Sequence, residues 1–150
     1  MFKSKKFTVF QLCAVILSLV LMAIALTKPS FNLEGQPVDD GSKTWLLFFL
    51  GWAGLFVGNV TPTLIWLANP LYILCLIFIY HGRKLYAVIF GFIAFFAALS
   101  FFMLDTIMVG ESGMVSAKII SLEAGYYLWI SSLGISALST LTAYFQDKKI

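Results

Sequence analysis

The longest uncharged stretch of the chain constrains its fold more than any other feature. It runs for 36 residues, from Trp45 to Tyr80, without one Asp, Glu, Lys or Arg. A bilayer core about 30 Å thick accepts only about 20 helical residues, so this stretch is too long for one straight crossing. Three glycines and two prolines interrupt it: Gly51, Gly54, Gly58, Pro62 and Pro70. We therefore expect it to be divided between a membrane-spanning helix and a segment that does not cross.

The composition indicates an integral membrane protein. The chain is 61% hydrophobic and only 11% charged, whereas soluble domains average about 25% charged residues. Its apolar runs are long and unbroken, which favours helices over the alternating strands of a transmembrane barrel. The sequence predicts an all-α membrane protein that forms a single domain over residues 1–150. It would have four transmembrane helices and an extra short interfacial or re-entrant helix before the second span.

The apolar runs give the approximate bounds of these segments. The four spans are expected at residues 7–26, 62–80, 85–104 and 125–145, and the outer interfacial helix at 45–58. The connections at residues 29–44 and 105–124 carry turn-forming and acidic residues and are expected to lie outside the cytoplasm.

Two alternatives to these bounds stay open. A span at residues 45–67, followed by a cytoplasmic half-helix after Pro70, would keep the same number of crossings. The first apolar run could also be a cleaved signal peptide, because Ala23, Ile24 and Ala25 have the small-x-small form of a cleavage site. However, this run is longer than the roughly 7 to 15 residues of a signal-peptide core, so we expect the helix to be retained.

The distribution of charge predicts the orientation in the membrane. One group of seven basic residues flanks the apolar runs with only Asp147 opposing it, while the other connections hold three basic and six acidic residues. Lys and Arg are enriched in cytoplasmic loops, so the first group predicts that both termini are cytoplasmic. This group consists of Lys3, Lys5, Lys6, Arg83, Lys84, Lys148 and Lys149. Since topology accounts for the net charge of +3, we expect the lipid bilayer as a partner and no nucleic acid.

Small residues recur at helical spacing in three segments, where they would let helices approach closely within a bilayer. On the short outer helix they form a glycine stripe of Gly51, Gly54 and Gly58. Two further faces repeat the spacing i, i+4, i+7 and i+11: Ala87, Gly91, Ala94 and Ala98 in the third span, and Ser132, Ser136, Ser139 and Ala143 in the fourth. We expect the third and fourth spans to pack tightly against each other.

Few side chains are candidates for chemistry. No charged residue falls at mid-depth in a predicted span, which argues against proton-coupled transport or ion conduction. Asp105 and Glu123 lie at the outer ends of the third and fourth spans and would form an acid and base pair if they faced each other. Their surroundings lack the Asn and Gly-rich sequences of membrane aspartyl hydrolases, so we interpret them as solvated helix ends. His81 is the only histidine, and we predict no catalytic residue, metal or cofactor.

Two asparagines in the uncharged stretch are better candidates. Pro70 lacks an N–H group and leaves a carbonyl near Trp66 without its helical partner. The amide of Asn69 could satisfy that carbonyl or bond to a neighbouring helix. The candidate binding site on the outer side consists of Asn59, Trp66, Asn69, Asp105 and Glu123.

Three segments together resemble a known group of proteins. They are GWAGLFVGNVTPTLIWLANPLYIL at residues 51–74, HGRK at 81–84 and GYYLWISSLG at 125–134. This pattern resembles small, uncharacterised bacterial inner-membrane proteins that carry GWxG, W-x-A-N-P and GYYLW-like segments, and it covers residues 45–145. The resemblance implies a bacterial cytoplasmic membrane and four spans, and it brings no activity.

These observations give two main functional hypotheses. The first is a non-enzymatic inner-membrane protein that acts by helix–helix contact with a membrane-protein partner or with itself, as a small subunit, assembly factor or immunity-type protein. The second is a membrane-embedded enzyme or lipid-binding protein with an outer-side pocket beside the 45–58 helix. A transporter component is a third hypothesis, which the absence of a mid-depth charge disfavours.

The topology can be tested at the turn that follows the uncharged stretch. A reporter inserted at His81 should show cytoplasmic activity, because the basic residues beside it favour that side. Reporters fused at residues 30 and 150 provide an external and a cytoplasmic reference. An external signal at His81 would contradict the single crossing of residues 45–80.

Overall fold

The structure, a computed structural model, describes residues 9–35, 43–109 and 115–148. Four of its helices are long and apolar enough to cross a membrane, as the sequence predicts: Val9–Leu26, Val60–Tyr80, Lys84–Met103 and Ala124–Gln146. The chain is thus a multi-pass helical membrane protein. Its α-helices are α1 (Val9–Leu26), α2 (Thr44–Leu50), α3 (Val60–Trp66), α4 (Ala68–Tyr80), α5 (Lys84–Leu99) and α6 (Ala124–Lys148). Two 3₁₀ segments, Gly51–Val57 and Ser100–Met103, extend α2 and α5.

A small antiparallel sheet corrects the all-α prediction. It contains β1 (Phe31–Leu33), β2 (Thr106–Val109) and β3 (Val115–Leu122), in the order β1-β3-β2. The sequence predicts only that the two connections that supply these strands lie outside the cytoplasm. A short strand becomes stable only when it is paired, and β1 pairs with a strand from the other end of the chain, which local patterns do not reveal. Residues 36–42 and 110–114 of these connections lie outside the described residues.

The uncharged stretch divides at Gly58. This glycine ends the 3₁₀ segment with φ of 81°, a left-handed conformation that a residue without Cβ adopts at little cost. The long helix then begins at Val60 and continues through Leu67, whose carbonyl accepts a hydrogen bond from the N–H of Leu71. The long helix is therefore Val60–Tyr80, and the alternative span at residues 45–67 is not found.

The small-residue face of the third span lies between two other helices. Ala87, Ala94 and Ala98 are buried. A Cβ atom built on Gly91 would lie 3.1 Å from Sγ of Cys75 in α4 and 3.3 Å from Cα of Ala137 in α6. Glycine at this position thus allows α5 to approach both neighbours closely.

The serine face of α6 points away from α5. Ser132 meets Ser18 of α1, and Ser136 lies 3.6 Å from the thiol of Cys75 in α4. The third and fourth spans do pack together, but α5 contacts α6 through Ala137 and through Gly134, beside the ring of Phe95. The small-residue faces of α5 and α6 therefore do not face each other, contrary to the sequence prediction. Instead, α6 contacts three helices, α1, α4 and α5.

A hydroxyl junction joins α1 to this bundle. Ser18 is fully buried, and its Oγ atom donates to the carbonyl of Ser132 at 2.8 Å. Because that hydroxyl has a single proton, the hydroxyl of Tyr72 is the donor in the 2.7 Å bond to Ser18. Three helices therefore meet at one polar point inside an apolar core. This contact makes α1 part of the bundle.

Replacing Ser18 with leucine should destabilise the protein. The larger side chain overpacks the junction, which costs about 1–3 kcal/mol, and it removes the hydrogen bonds of Tyr72 and Ser132. We expect the unfolding temperature in mild detergent to fall by roughly 3–10 °C. Ala23→Leu is the matched control, because Ala23 is on the exposed face of the same helix. An equal decrease in unfolding temperature in both variants would contradict a stabilising role for the hydroxyl junction.

Candidate functional site

A partly open cavity lies between the α2 segment, which comprises α2 and its 3₁₀ extension (residues 44–57), the sheet and the sheet-side ends of the long helices. Its volume is about 460 Å³, within the range of roughly 300–1,000 Å³ typical of small-molecule sites. Most of its wall is apolar or aromatic, including Phe31, Leu47, Phe48, Ile65, Phe101 and Tyr126. Of the predicted binding residues, Asn59, Trp66 and Asn69 line it, and Asp105 and Glu123 do not.

Two glycines allow the segment above the cavity to fold against α3. A Cβ atom on Gly51 would collide with the indole of Trp66, and one on Gly54 would lie 2.7 Å from Oγ1 of Thr63. The indole N–H of Trp66 donates to the carbonyl of Phe48 at 2.8 Å, which fixes this approach. The structure therefore places these two glycines of the stripe against a helix of the same chain, while Gly58 forms the turn.

The side chain of Asn59 joins this turn to the sheet. Its Oδ1 atom accepts from the N–H of Met108 at 2.8 Å, and its Nδ2 atom donates to the carbonyl of Met108 at 2.7 Å. The amide thus pairs with the free edge of β2 as a neighbouring strand would. Both polar groups of Asn59 are used in holding the segment over the cavity.

Asn69 contacts a neighbouring helix rather than its own backbone. Its Oδ1 atom accepts a hydrogen bond from the indole N–H of Trp129 at 2.9 Å. Asn69 is 5% exposed, and Trp129 lines the same cavity. Trp129 is not among the predicted site residues, although it lies in the GYYLW segment that carries the resemblance.

The junction of β1, α2 and α6 forms another part of the wall. Oγ1 of Thr44 donates to the carbonyl of Lys28 at 2.6 Å and accepts from Ser30 at 2.6 Å. The N–H of Gly125 donates to the carbonyl of Pro29 at 2.8 Å. A Cβ atom on Gly125 would collide with Thr44, so glycine is required where α6 begins. Sequence reasoning did not identify Ser30 or Thr44, because neither has a motif around it.

The two predicted carboxylates are not brought together. The carbonyl of Asp105 accepts from the N–H of Ile119 at 2.8 Å, and Glu123 follows four residues further along, about 13 Å at the rise of a strand. Oε1 of Glu123 accepts from Asn32 at 2.6 Å and from Ser121 at 2.8 Å. Glu123 therefore stabilises the pairing of β1 with β3, and the geometry provides no acid and base pair.

The lining of the cavity carries no charged side chain among the residues that the structure describes. Within those residues, no group of three or more His, Cys, Asp or Glu side chains is arranged to hold a metal ion. The chemistry available in the cavity is thus apolar contact and a few neutral hydrogen bonds.

A scan against protein-family models finds no match, and comparisons with curated proteins and with solved structures find none. The resemblance to small bacterial inner-membrane proteins stays a prediction. Function therefore has to be inferred from the cavity itself.

The bridge from Asn59 to β2 can be tested by amide exchange. Asn59→Ala removes the acceptor of the Met108 N–H, and two lost hydrogen bonds of about 1 kcal/mol each correspond to roughly a thirtyfold change in local opening. Hydrogen–deuterium exchange at Met108 should accelerate by about that factor. Thr61→Ala, at an exposed position two residues away, should leave it unchanged. If exchange at Met108 is unchanged in Asn59→Ala, the hydrogen bonds of Asn59 do not stabilise the edge strand β2.

Proposed function

We propose that this protein binds an uncharged, lipid-like molecule in the cavity beneath the α2 segment. The observation that carries the proposal is a large, mainly apolar and aromatic cavity whose described lining holds no charged side chain. Each methylene group moved from water into such a site contributes about 0.8 kcal/mol. Apolar contact alone therefore gives substantial affinity for a hydrocarbon chain.

The polar side chains of the wall support a neutral ligand. Trp66 donates to a backbone carbonyl, Asn59 bonds twice to Met108, and Ser30 and Thr44 bond to each other. These groups shape the cavity and are occupied by the protein itself. An ionised ligand without a charged partner would be costly to bury here. The separation of Asp105 from Glu123 likewise favours binding over catalysis.

We further propose that the cavity faces the outer leaflet of a bacterial cytoplasmic membrane, with both termini cytoplasmic. The basic residues near Arg83 and at the two termini support this orientation. An aromatic ridge supports the interfacial position of the α2 segment, since aromatic side chains gather at membrane–water interfaces. The ridge consists of four exposed residues at i, i+4, i+7 and i+11: Trp45, Phe49, Trp52 and Phe56. A lipid in that leaflet would have direct access to the cavity.

A role in helix–helix contact is our second candidate, as a small subunit, assembly factor or immunity-type protein. The aromatic ridge favours it as well, because exposed aromatic side chains are enriched where proteins bind partners. The small-residue faces give it less support, since they are buried against helices of the same chain.

Filling the cavity should strongly reduce binding of the apolar molecule. Leu47→Trp adds bulk to the cavity wall, whereas Leu19→Trp makes the same change on the exposed face of α1, away from the cavity. Native mass spectrometry in mild detergent should detect about one apolar molecule bound to the wild type and to Leu19→Trp. We expect at least a tenfold lower occupancy in Leu47→Trp at an unchanged unfolding temperature.

Equal occupancy in the two tryptophan variants, or no bound molecule in the wild type, would contradict ligand binding. A stoichiometric partner protein together with an empty cavity would instead support the contact role.

A further inference from the structure

Asn69 lines the cavity, and its side-chain amide nitrogen is a donor group with no described hydrogen-bond partner. An indole N–H is only a donor, so Trp129 must face the amide oxygen of Asn69, as it does at 2.9 Å. This contact fixes the amide orientation and leaves Nδ2 on the opposite side. Among the described residues, none accepts a hydrogen bond from Nδ2. Asn69 is nevertheless 95% buried and lines the cavity.

Each of the other donor side chains of the described wall donates a hydrogen bond within the protein. The indole of Trp66 donates to Phe48, the amide of Asn59 to Met108 and the hydroxyl of Tyr126 to Ala98. The hydroxyl of Thr44 donates to Lys28 and in turn accepts from Ser30. Asn69 therefore differs from these groups, because its donor is available to a molecule in the cavity.

Asn69 lies at the end of the cavity farthest from the start of the long helix. It is the last lining residue along the Val60–Tyr80 helix, about 13 Å from the start of that helix at 1.5 Å per residue. Trp129 is likewise the last lining residue of α6. These two side chains form the inner end of the cavity, where water competes least for a hydrogen bond.

We propose that Asn69 donates a hydrogen bond to a carbonyl oxygen of the bound molecule. This inference rests on the proposed function and specifies its ligand as a neutral, apolar molecule that carries a carbonyl group. A carbonyl accepts the bond without charge, which matches a wall that holds no described cation. An acyl ester and a quinone both supply this chemistry.

The test compares ligands that differ in one group. Ethyl palmitate, an alkane of equal length and a short-chain benzoquinone are titrated against delipidated protein, and binding is followed by the infrared spectrum of the bound probe and by native mass spectrometry. The wild type should bind the ester about tenfold more tightly than the alkane, the upper part of the range for one neutral hydrogen bond. If the quinone binds more strongly than the ester, the carbonyl group that Asn69 recognises belongs to a quinone ring.

Two variants distinguish recognition of the carbonyl group from binding of the apolar chain. Asn69→Leu keeps a similar volume, so it should bind ester and alkane with equal affinity. Thr61→Leu is the control, because it makes a similar polar-to-apolar change at an exposed position of the same long helix that does not line the cavity, and it should keep the preference for the ester. Equal affinity for ester and alkane in the wild type would overturn the role of Asn69 while leaving ligand binding intact. Failure of the wild type to bind any of the three probes would overturn the proposed function itself.

A measurement on the wild type alone covers the case in which Asn69→Leu does not fold. The infrared stretch of a ¹³C-labelled ester carbonyl should move to lower frequency on binding, as it does when a carbonyl accepts a hydrogen bond. A bound ester whose carbonyl absorbs as it does in alkane solvent would overturn the proposal.

Discussion

The close approach of the 3₁₀ segment to α3 is the contact on which the cavity depends. It is possible because Gly51 and Gly54 present bare backbone to Trp66 and Thr63. The indole N–H of Trp66 then bonds to Phe48, so the segment is held beside the long helix and cannot extend it. A chain with larger residues at these glycines could not make this return. The cavity is the space left between the returning segment, the sheet and the bundle.

The helix bundle forms the inner wall of the cavity. In a bilayer, buried polar groups must find partners within the protein, and α6 supplies them to several neighbours. Ser132 bonds to Ser18, Tyr126 to the backbone of α5, and Trp129 to Asn69. One helix thus fixes the position of α1, α4 and α5 and also contributes the inner end of the cavity. Stability of the bundle and shape of the site depend on the same helix.

The two asparagines of the uncharged stretch show why residue type alone does not define a site. Asn59 and Asn69 are equivalent candidates in the sequence, ten residues apart in the same apolar run. In the structure, Met108 occupies both polar groups of Asn59, while Trp129 occupies only the oxygen of Asn69. The difference lies in their partners, which belong to distant segments. The candidate site is therefore defined by the side-chain groups that have no hydrogen-bond partner within the described part of the protein.

Hydropathy, helix length and backbone freedom are local properties, so the amino-acid sequence is enough to predict the long apolar helices and the division of the uncharged stretch near Gly58. The small sheet, the cavity and the direction of the serine face become visible only in the folded protein. The pairing of β1 with β3 joins residues 89 positions apart, as in the bond from Asn32 to Ser121. Such pairings, and the donors they leave free, depend on three-dimensional proximity, which local sequence patterns do not encode.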